Sequence, residues 1–388
     1  MNKLKAATLV AFIVSLIASI KMIDIDWHTY IIHFTLWTIV FSMAAVAFKE
    51  RGKRILALNL AMLFGLLWFF EAALLVKDVA EWGTIRRIKK DIAREFLGDH
   101  EILGMAPEPG RVYDNIVTRG DDLIYEAHYT FDENGYRITP EPADPKAPAI
   151  VFTGCSFTLG EGLNDEQSYP YRVAKMLDRR YRVLNLAFSG YGAHQTLAGF
   201  QSGLYQKAIG ESKPVAIVHF AIPEHPDRSV GALSWGQRAP RYKIADDGQL
   251  KLEGTFKKNG SLVEKMRNRR LKESVKSSIG RRLATYQTKD EDIELWIRIL
   301  QETRATARKD YPGVPFHLVF LNTPHPNTEK MEKALAQSDL KYHLVMDRNP
   351  ELEKKEFYIP VDGHPNAAAA EKLAEFMVSE VLQEQAKI

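Results

Sequence analysis

The chain of 388 residues contains a single cysteine, Cys155. One cysteine excludes a disulfide framework and a zinc site built on cysteines, and no cluster of other metal-binding residues stands out. The net charge is only +3, which indicates no particular charged partner. With 46% hydrophobic and 26% charged residues, the chain is expected to fold, and its length allows more than one domain. We therefore expect a folded protein without cofactor or metal.

Long apolar runs are confined to the N-terminal 77 residues. The runs extend over Ala6–Ile20, Tyr30–Phe48 and Ile55–Val76, and the first predicted helix continues to about Ile25. The first run resembles the core of a signal peptide, but two further runs of spanning length follow it closely. The sequence therefore predicts a three-helix transmembrane anchor over residues 1–77. Glu71, inside the third run, is interpreted as an interfacial residue, and a contact with a partner membrane protein is the alternative.

Lysine and arginine in the connecting loops predict the orientation of this anchor. The loop Lys49–Arg54 is strongly basic and Lys3 and Lys5 precede the first run, whereas the loop Lys21–His28 is not basic overall. By the positive-inside rule, the chain after residue 78 lies outside the cytoplasm, although basic residues at 86–90 oppose this orientation. The predicted location is the bacterial inner membrane, as a multi-pass protein with an extracytoplasmic soluble domain.

Residues 78–148 differ in composition from the chain on either side. Residues 78–98 are predicted to form a charged helix leaving the membrane. A strand over Leu123–Phe131, followed by the turn Asp132–Gly135, predicts a hairpin. The segment Pro140–Pro148 is rich in proline and is typical of a linker. This region is therefore predicted to be a juxtamembrane helix and a small β-subdomain.

From residue 149 to residue 388 apolar strands alternate with helices, which predicts an α/β domain with a flavodoxin-like parallel sheet sandwiched by helices. The predicted strands are Ala149–Thr153, Val183–Ala187, Val215–Ile222 and Phe316–Leu321. Ligands in such sheets bind beyond the carboxyl ends of the strands, where Ser156, Gly190, His225 and Asn322 follow.

An insertion at about 232–288 interrupts this alternation. It contains a predicted hairpin over Tyr242–Phe256 and a basic helix over Leu262–Arg282. The helix is interpreted as a solvated face, and the alternatives are a lid or a surface for anionic lipid or acidic glycan. Nucleic acid is not an expected partner of an extracytoplasmic face.

Two separated stretches carry the residue types of serine chemistry. The apolar strand breaks at Gly154, and Ser156 follows in the turn. This pattern by itself is compatible with an ordinary turn. More than two hundred residues later, Asp362 and His364 precede a helix. A serine nucleophile needs a base of pKa near 7, and that base needs an acid to orient it. Asp362 and His364 can supply both, whereas Cys155 should point away from Ser156 and is interpreted as a small buried residue.

On these residues, the chain from about Ala149 to Leu382 resembles the SGNH (GDSL-like) hydrolase superfamily. Gly154–Gly162 is similar to its first block, Asn185–Gly192 to its second, and Asp362–Asn366 to its last. The resemblance implies that Ser156 is the nucleophile, that His364 is the base and that Asp362 orients it. It also implies that the backbone N–H groups of Ser156 and Gly190 bind the oxyanion.

Three departures from the family pattern stand in this sequence. Cys155 replaces the aspartate before the nucleophile, and one residue rather than two separates Asp362 from His364. The third block, Ile222–Asp227, lacks the asparagine that donates to the oxyanion, and His225 is the candidate substitute. The other histidines (His194, His219, His317, His325 and His343) lack a comparable acid and are interpreted as structural or exposed.

The resemblance and the anchor together predict a membrane-bound serine ester hydrolase or O-acyltransferase that uses an acyl-serine intermediate. The expected substrate is an acyl ester, of a cell-surface glycan or of a lipid. A transferase outside the cytoplasm would need a membrane protein partner to deliver acyl groups. The alternative function is a catalytically weak SGNH-like subunit that binds glycan or supports a membrane complex.

Overall fold

The computed structural model describes residues 8, 10, 29–82, 85–90, 98–119, 121–233, 235–274, 277–283 and 286–387. The chain divides into two compact units. The first comprises Met1–Thr84 and Met266–Thr285, and the second comprises Ile85–Lys265 and Tyr286–Ile388.

The described helices are numbered in chain order. They are α1 (Thr29–Ala47), α2 (Arg51–Trp82), α3 (Ser156–Leu159), α4 (Tyr169–Met176), α5 (Ala193–Gln201), α6 (Leu204–Ile209), α7 (His225–Ser229), α8 (Phe256–Asn259), α9 (Leu262–Ser274), α10 (Ser278–Leu283), α11 (Asp290–Asp310), α12 (Thr328–Gln337), α13 (Ala367–Phe376) and α14 (Gln383–Ala386). Short 3₁₀ turns lie at Asp165–Gln167, Gly236–Arg238, Pro350–Glu353 and Lys355–Phe357, and a π-helical turn lies at Met377–Val381.

The described strands are numbered in the same way. They are β1 (Ile85–Lys90), β2 (Gly98–His100), β3 (Gly104–Ala106), β4 (Val112–Arg119), β5 (Asp122–Thr130), β6 (Ala149–Thr153), β7 (Arg182–Asn185), β8 (Pro214–Ala221), β9 (Pro240–Ile244), β10 (Leu250–Thr255), β11 (Phe316–Phe320) and β12 (Lys341–Leu344).

The first unit is built on two apolar helices. By length and composition, α1 and α2 could each cross a membrane, over Tyr30–Ala47 and Arg51–Asp78. Trp37 and Phe41 of α1 stack on Phe64 of α2. The predicted first span, residues 6–25, lies outside the described residues apart from Thr8 and Val10, so the described part of the anchor has two candidate spans rather than three.

Glu71 has a specific partner within this unit. Its carboxylate accepts hydrogen bonds from the Ser277 hydroxyl (2.8 Å) and from the backbone N–H groups of Ser278 and Ile279. The side chain is 4% exposed. An unpaired carboxylate on an apolar helix is costly, and these three donors offset that cost. The expected interfacial position therefore gives way to a buried contact with the start of α10.

The second unit contains a five-stranded parallel sheet, in the order β12-β11-β8-β6-β7. Numbered along the chain, this order is 2-1-3-4-5, as in flavodoxin-like folds, and the direction of winding reverses between β6 and β8. The parallel sheet is confirmed, and β6, β7, β8 and β11 match the predicted strands. The fifth strand, β12, was not predicted, because its four residues are short and half polar.

The sheet is covered on both faces, since alternate residues of each strand point to opposite sides. One buried cluster contains Val151 and Leu318 and packs on Leu197 and Trp296 of α5 and α11. The other contains Phe152 and Phe220 and packs against α4 and α13. Residues of β6 are fully buried, which fixes the strand that precedes Ser156.

Antiparallel strands stand before the parallel sheet in the chain and also within the insertion. β4 pairs with β5 and with β1, and β9 with β10 forms the hairpin predicted in the insertion. The predicted helix over 78–98 is wrong, because α2 ends at Trp82 and β1 follows it. Residues 83–84 and 91–97 of that prediction lie outside the described residues. The basic residues of β1 suggested a helix by composition, but all six residues of β1 pair with residues 114–119 of β4.

Candidate active site

Ser156 stands at the carboxyl edge of the sheet, beside the point where the winding reverses. β6 ends at Thr153, Gly154 turns the chain with φ 152°, and Ser156 begins α3. A Cβ at Gly154 would lie 2.4 Å from the Thr158 hydroxyl and 2.9 Å from the Phe220 carbonyl oxygen. Only glycine fits this turn, so the local sequence determines where the serine is presented.

Asp362 and His364 lie on a tight loop before α13. The Gly363 N–H donates to the Ile359 carbonyl (2.9 Å), and the Ile359 N–H donates to the His364 carbonyl (2.8 Å). Val361 and Gly363 both have positive φ, at 69° and 85°. A β-branched residue rarely adopts this conformation, so Val361 is a site of backbone strain. The loop is thus held in one conformation by its own hydrogen bonds.

The structure brings the two stretches together. His364 Nε2 lies 2.8 Å from Ser156 Oγ, and His364 Nδ1 is paired with Asp362 Oδ1. The side chains of Asp362 and His364 are 7% and 17% exposed, and Ser156 is 5% exposed. Phe157 packs beside the imidazole, with ring centroids 5.4 Å apart. A hydroxyl, an imidazole and a carboxylate linked in this order can pass a proton from the serine to the histidine.

The two remaining predicted site residues occupy different environments. Gly190 follows β7 in a turn with φ 78°, and a Cβ there would lie 2.8 Å from Met105 and 3.0 Å from Trp235. His225 begins α7 and is fully buried, with its ring 5.8 Å from that of His219. In the described chain, no hydrogen bond joins His225 to Ser156 or His364. The roles of both residues in binding an oxyanion stay predictions.

Glu161 belongs to the site although the sequence pattern assigned it no role. It follows α3 and is 5% exposed. Its Oε2 accepts a hydrogen bond from Ser189 Oγ at 2.7 Å and lies 3.8 Å from His364 Nε2. Its place between two glycines in the first block was the only signal in the sequence. Ser189, the neighbour of Gly190, brings the second block to the same point.

A cavity of about 380 Å³ opens next to these residues. Its lining includes Phe157, which follows Ser156 in the chain, and Gly363, which lies between Asp362 and His364. The other lining residues are Ile222, Pro223, Glu224, Leu321, Thr323, Pro324, Glu353 and Tyr358. The lining combines apolar side chains with the carboxylates of Glu224 and Glu353, so the cavity presents both apolar and acidic surface next to the neighbour of Ser156.

The other candidates from the sequence have structural partners. Cys155 is fully buried, and burial raises the pKa of its thiol. Asn322 does not line the cavity, because its amide donates to Glu332 and its carbonyl accepts from the Met346 N–H. Arg228 donates to the Tyr191 carbonyl at 2.7 Å, between the second and third blocks. Among the described residues, no group of histidine, cysteine and carboxylate side chains is arranged to hold a metal ion.

Comparison with known proteins gives only distant similarities. No family model matches the chain, and no curated protein matches it. Similar solved structures include TesA, 16% identical over 62% of this chain and 98% of that chain, with a TM-score of 0.35. The esterase EstA from Pseudoalteromonas sp. is 10% identical over 62% and 99% of the two chains, with a TM-score of 0.35. A carbohydrate esterase is 12% identical over 78% and 88%, also with a TM-score of 0.35. Scores at this level carry no argument about activity, which depends on the geometry of this chain.

Proposed function

We propose that the protein is a serine ester hydrolase or O-acyltransferase of the SGNH type. The observation that carries the proposal is the linked arrangement of Ser156, His364 and Asp362, with Nε2 to Oγ at 2.8 Å. Two further observations support it: the strand order 2-1-3-4-5 and the placement of Ser156 where the winding reverses.

In the proposed reaction, Ser156 Oγ attacks the carbonyl carbon of an ester while His364 Nε2 takes the hydroxyl proton. Asp362 holds the Nδ1 proton and stabilises the imidazolium. The backbone N–H groups of Ser156 and Gly190 hold the oxyanion, with His225 as a third donor. The protonated imidazole gives its proton to the leaving alcohol, and the acyl group stays on Ser156 until water or an acceptor hydroxyl removes it.

We also propose that the protein is a multi-pass protein of the bacterial inner membrane with the catalytic unit outside the cytoplasm. The two candidate spans and the basic loop between them, Lys49–Arg54, support this location. The predicted first span over residues 6–25 would complete a three-helix anchor. The acyl ester would then belong to a cell-surface glycan or lipid, and a transferase would require a membrane partner. An alkaline phosphatase fused to the C-terminus should be active, and an inactive fusion would contradict this orientation.

A serine-directed fluorophosphonate probe tests the chemistry. The detergent-solubilised full chain should be labelled, and Ser156→Ala should lose the label while keeping its thermal unfolding midpoint. Ser202→Ala is the matched control, because it removes an exposed hydroxyl at the end of α5 and should keep the label. If wild-type protein and Ser156→Ala label equally poorly, the enzyme proposal fails and the alternative of a non-catalytic subunit is favoured.

A further inference from the structure

The carboxylate of Glu161 faces the same imidazole nitrogen that faces the nucleophile. Its Oε2 lies 3.8 Å from His364 Nε2, and Ser156 Oγ lies 2.8 Å from that nitrogen. The Asp362 carboxylate is paired with the other ring nitrogen. The site therefore contains two buried carboxylates, one on each side of the imidazole. A proton relay to Ser156 needs only Asp362, so Glu161 calls for a separate explanation.

The position of Glu161 is built into the fold. Glu161 lies between Gly160 and Gly162, which have φ 83° and 82°, so the chain turns back on α3 immediately after its last turn. The Glu161 N–H donates to the Ser156 carbonyl at 2.9 Å. On the other side of the loop, the Gly162 N–H donates to the hydroxyl of Tyr129 at 2.7 Å.

The side chain of Arg137 fixes the same loop from the β-subdomain. Arg137 is 2% exposed and donates to the carbonyls of Leu159 and Gly160, each at 2.7 Å. Together with the bond from Ser189 to the carboxylate, these contacts hold Glu161 in place relative to the nucleophile. A carboxylate held this way, nine-tenths buried and beside the reacting nitrogen, is suited to orienting a small molecule.

We propose that Glu161 orients the water that releases the acyl group from Ser156, an inference that rests on the proposed function. A distance of 3.8 Å is less than twice a hydrogen-bond length of about 2.8 Å, so one water oxygen can bond to Nε2 and Oε2 at once. Water has two hydrogens, and a single alcohol hydroxyl has one. The pair of acceptors, Nε2 and Oε2, therefore suits water, and the geometry points to hydrolysis.

The step balances without any further reactant. The water oxygen bonds to the acyl carbon and gives one proton to His364 Nε2. Its second hydrogen stays on the oxygen and is donated in a hydrogen bond to Glu161 Oε2. The bond between the acyl carbon and Ser156 Oγ then breaks, and Nε2 returns the proton to Oγ. A free carboxylic acid leaves. Attack on the original ester does not use this water, so Glu161 acts on the second half-reaction and not on the first.

The test measures acylation of Ser156 and release of the acetyl group separately. It uses p-nitrophenyl acetate as the substrate of the detergent-solubilised full chain. In Glu161→Gln, we expect the rate of acetyl release to fall about 10- to 100-fold, as for a misplaced reactant, while the rate of acylation changes less than threefold. Rapid mixing should show a p-nitrophenol burst of about one per protein, and mass spectrometry should find the acetyl group on Ser156. Glu166→Gln, an exposed carboxyl in the same loop, is the matched control and should show neither change.

Release of acetyl by hydroxylamine distinguishes a role of Glu161 in orienting water from a role in maintaining the structure. Hydroxylamine attacks the acyl-enzyme without help from a positioned base, so it should release acetyl from Glu161→Gln and wild type at the same rate. Glu161→Asp, with its carboxylate withdrawn by one methylene, should repeat the kinetic pattern if the glutamine variant does not fold. Equal losses in acylation and release, or wild-type release in both variants, would overturn the role of Glu161. Failure of wild-type protein to acylate at Ser156 would instead overturn the proposed function.

Discussion

The pairing of His364 with Ser156 depends on a few backbone positions that most side chains cannot occupy. Gly154 lacks room for a Cβ, and Gly363 and Val361 have positive φ in the loop that contains His364. Strain of this kind costs about 1–3 kcal/mol for a non-glycine residue and persists only where the surroundings enforce it. Hydrogen bonds within the loop, and the cap of α13 by Asn366, enforce it here. These contacts hold His364 beside Ser156.

Asp362 gives the first prediction at this scale. Asp362→Asn keeps the shape of the loop but presents an amide to His364 Nδ1, so the imidazole loses the partner that fixes its tautomer. We expect the rate of ester hydrolysis to fall roughly 10²–10⁴-fold, with little change in the thermal unfolding midpoint. Asp347→Asn, at an exposed position after β12, is the matched control and should retain full activity. Wild-type rates in Asp362→Asn would mean that the short spacing to His364 does not form a working pair.

At the scale of elements, the loop after α3 depends on one buried arginine of the β-subdomain. Arg137 donates to the Leu159, Gly160 and Leu163 carbonyls and pairs with Asp165 at 2.8 Å. Its guanidinium also lies 4.4 Å from the ring centre of Tyr129. Because five donors in a fixed plane meet these acceptors, no lysine can replace them all.

Arg137→Lys should therefore lower the free energy of unfolding by about 1–3 kcal/mol, since several buried carbonyls lose their donor. Urea denaturation followed by the intrinsic tryptophan fluorescence, to which buried Trp296 contributes, measures this change. Arg111→Lys, an exposed pair with Glu108, should change stability by less than about 0.5 kcal/mol. Equal stabilities of the two variants would show that the Arg137 contacts do not hold the loop.

The contrast between Ser156 and Arg137 shows what the sequence can predict. The sequence predicts that Ser156 and His364 act together, because Ser156 follows an apolar strand, His364 precedes an apolar helix, and each belongs to a recognisable block. Arg137 stands in an ordinary hairpin, and its acceptors are backbone carbonyls, which have no signature in sequence. For the same reason the contact of Glu71 with Ser277, 206 positions away, could not be predicted. Local periodicity predicts elements, whereas pairing between distant polar groups depends on the assembled fold.

Strand β1 shows the same limit in the opposite direction. Its basic sequence favoured a helix by composition, but pairing with β4 over six residues decided its conformation. Strand β12 escaped prediction because it has only four residues, of which two are polar or charged. Both strands lie at a sheet edge, where one neighbour rather than burial on two sides decides the structure. Prediction was most successful for strands with an apolar run, which include the edge strand β7 as well as the central strands β6, β8 and β11.

At the scale of the whole second unit, three buried histidines link stability to pH. His194, His219 and His225 are at most 1% exposed, and five of their six ring nitrogens have no hydrogen-bond partner in the described chain. Burial lowers the pKa of His194 and of His219 from 6.5 to about 3. It lowers the pKa of His225 further, aided by the nearby charge of Arg228. All three are neutral in the folded protein at pH 5, and all three are charged in the unfolded chain.

The sign of the pH dependence follows from these lowered pKa values. Below pH 6.5 the unfolded chain binds more protons than the folded protein, so stability is complete above pH 6.5 and declines as the pH falls towards 3. Each histidine contributes about 1.4 kcal/mol per pH unit within this window. His194→Phe removes one titrating group, so the slope between pH 6 and pH 5 should decrease by about that amount. Urea denaturation of the solubilised chain at each pH measures this slope.

Phe256→Leu, beside His194, should lower stability at every pH but leave the slope unchanged, because no proton is involved. A slope that is the same in His194→Phe as in wild type would show that His194 does not stay neutral when the chain folds.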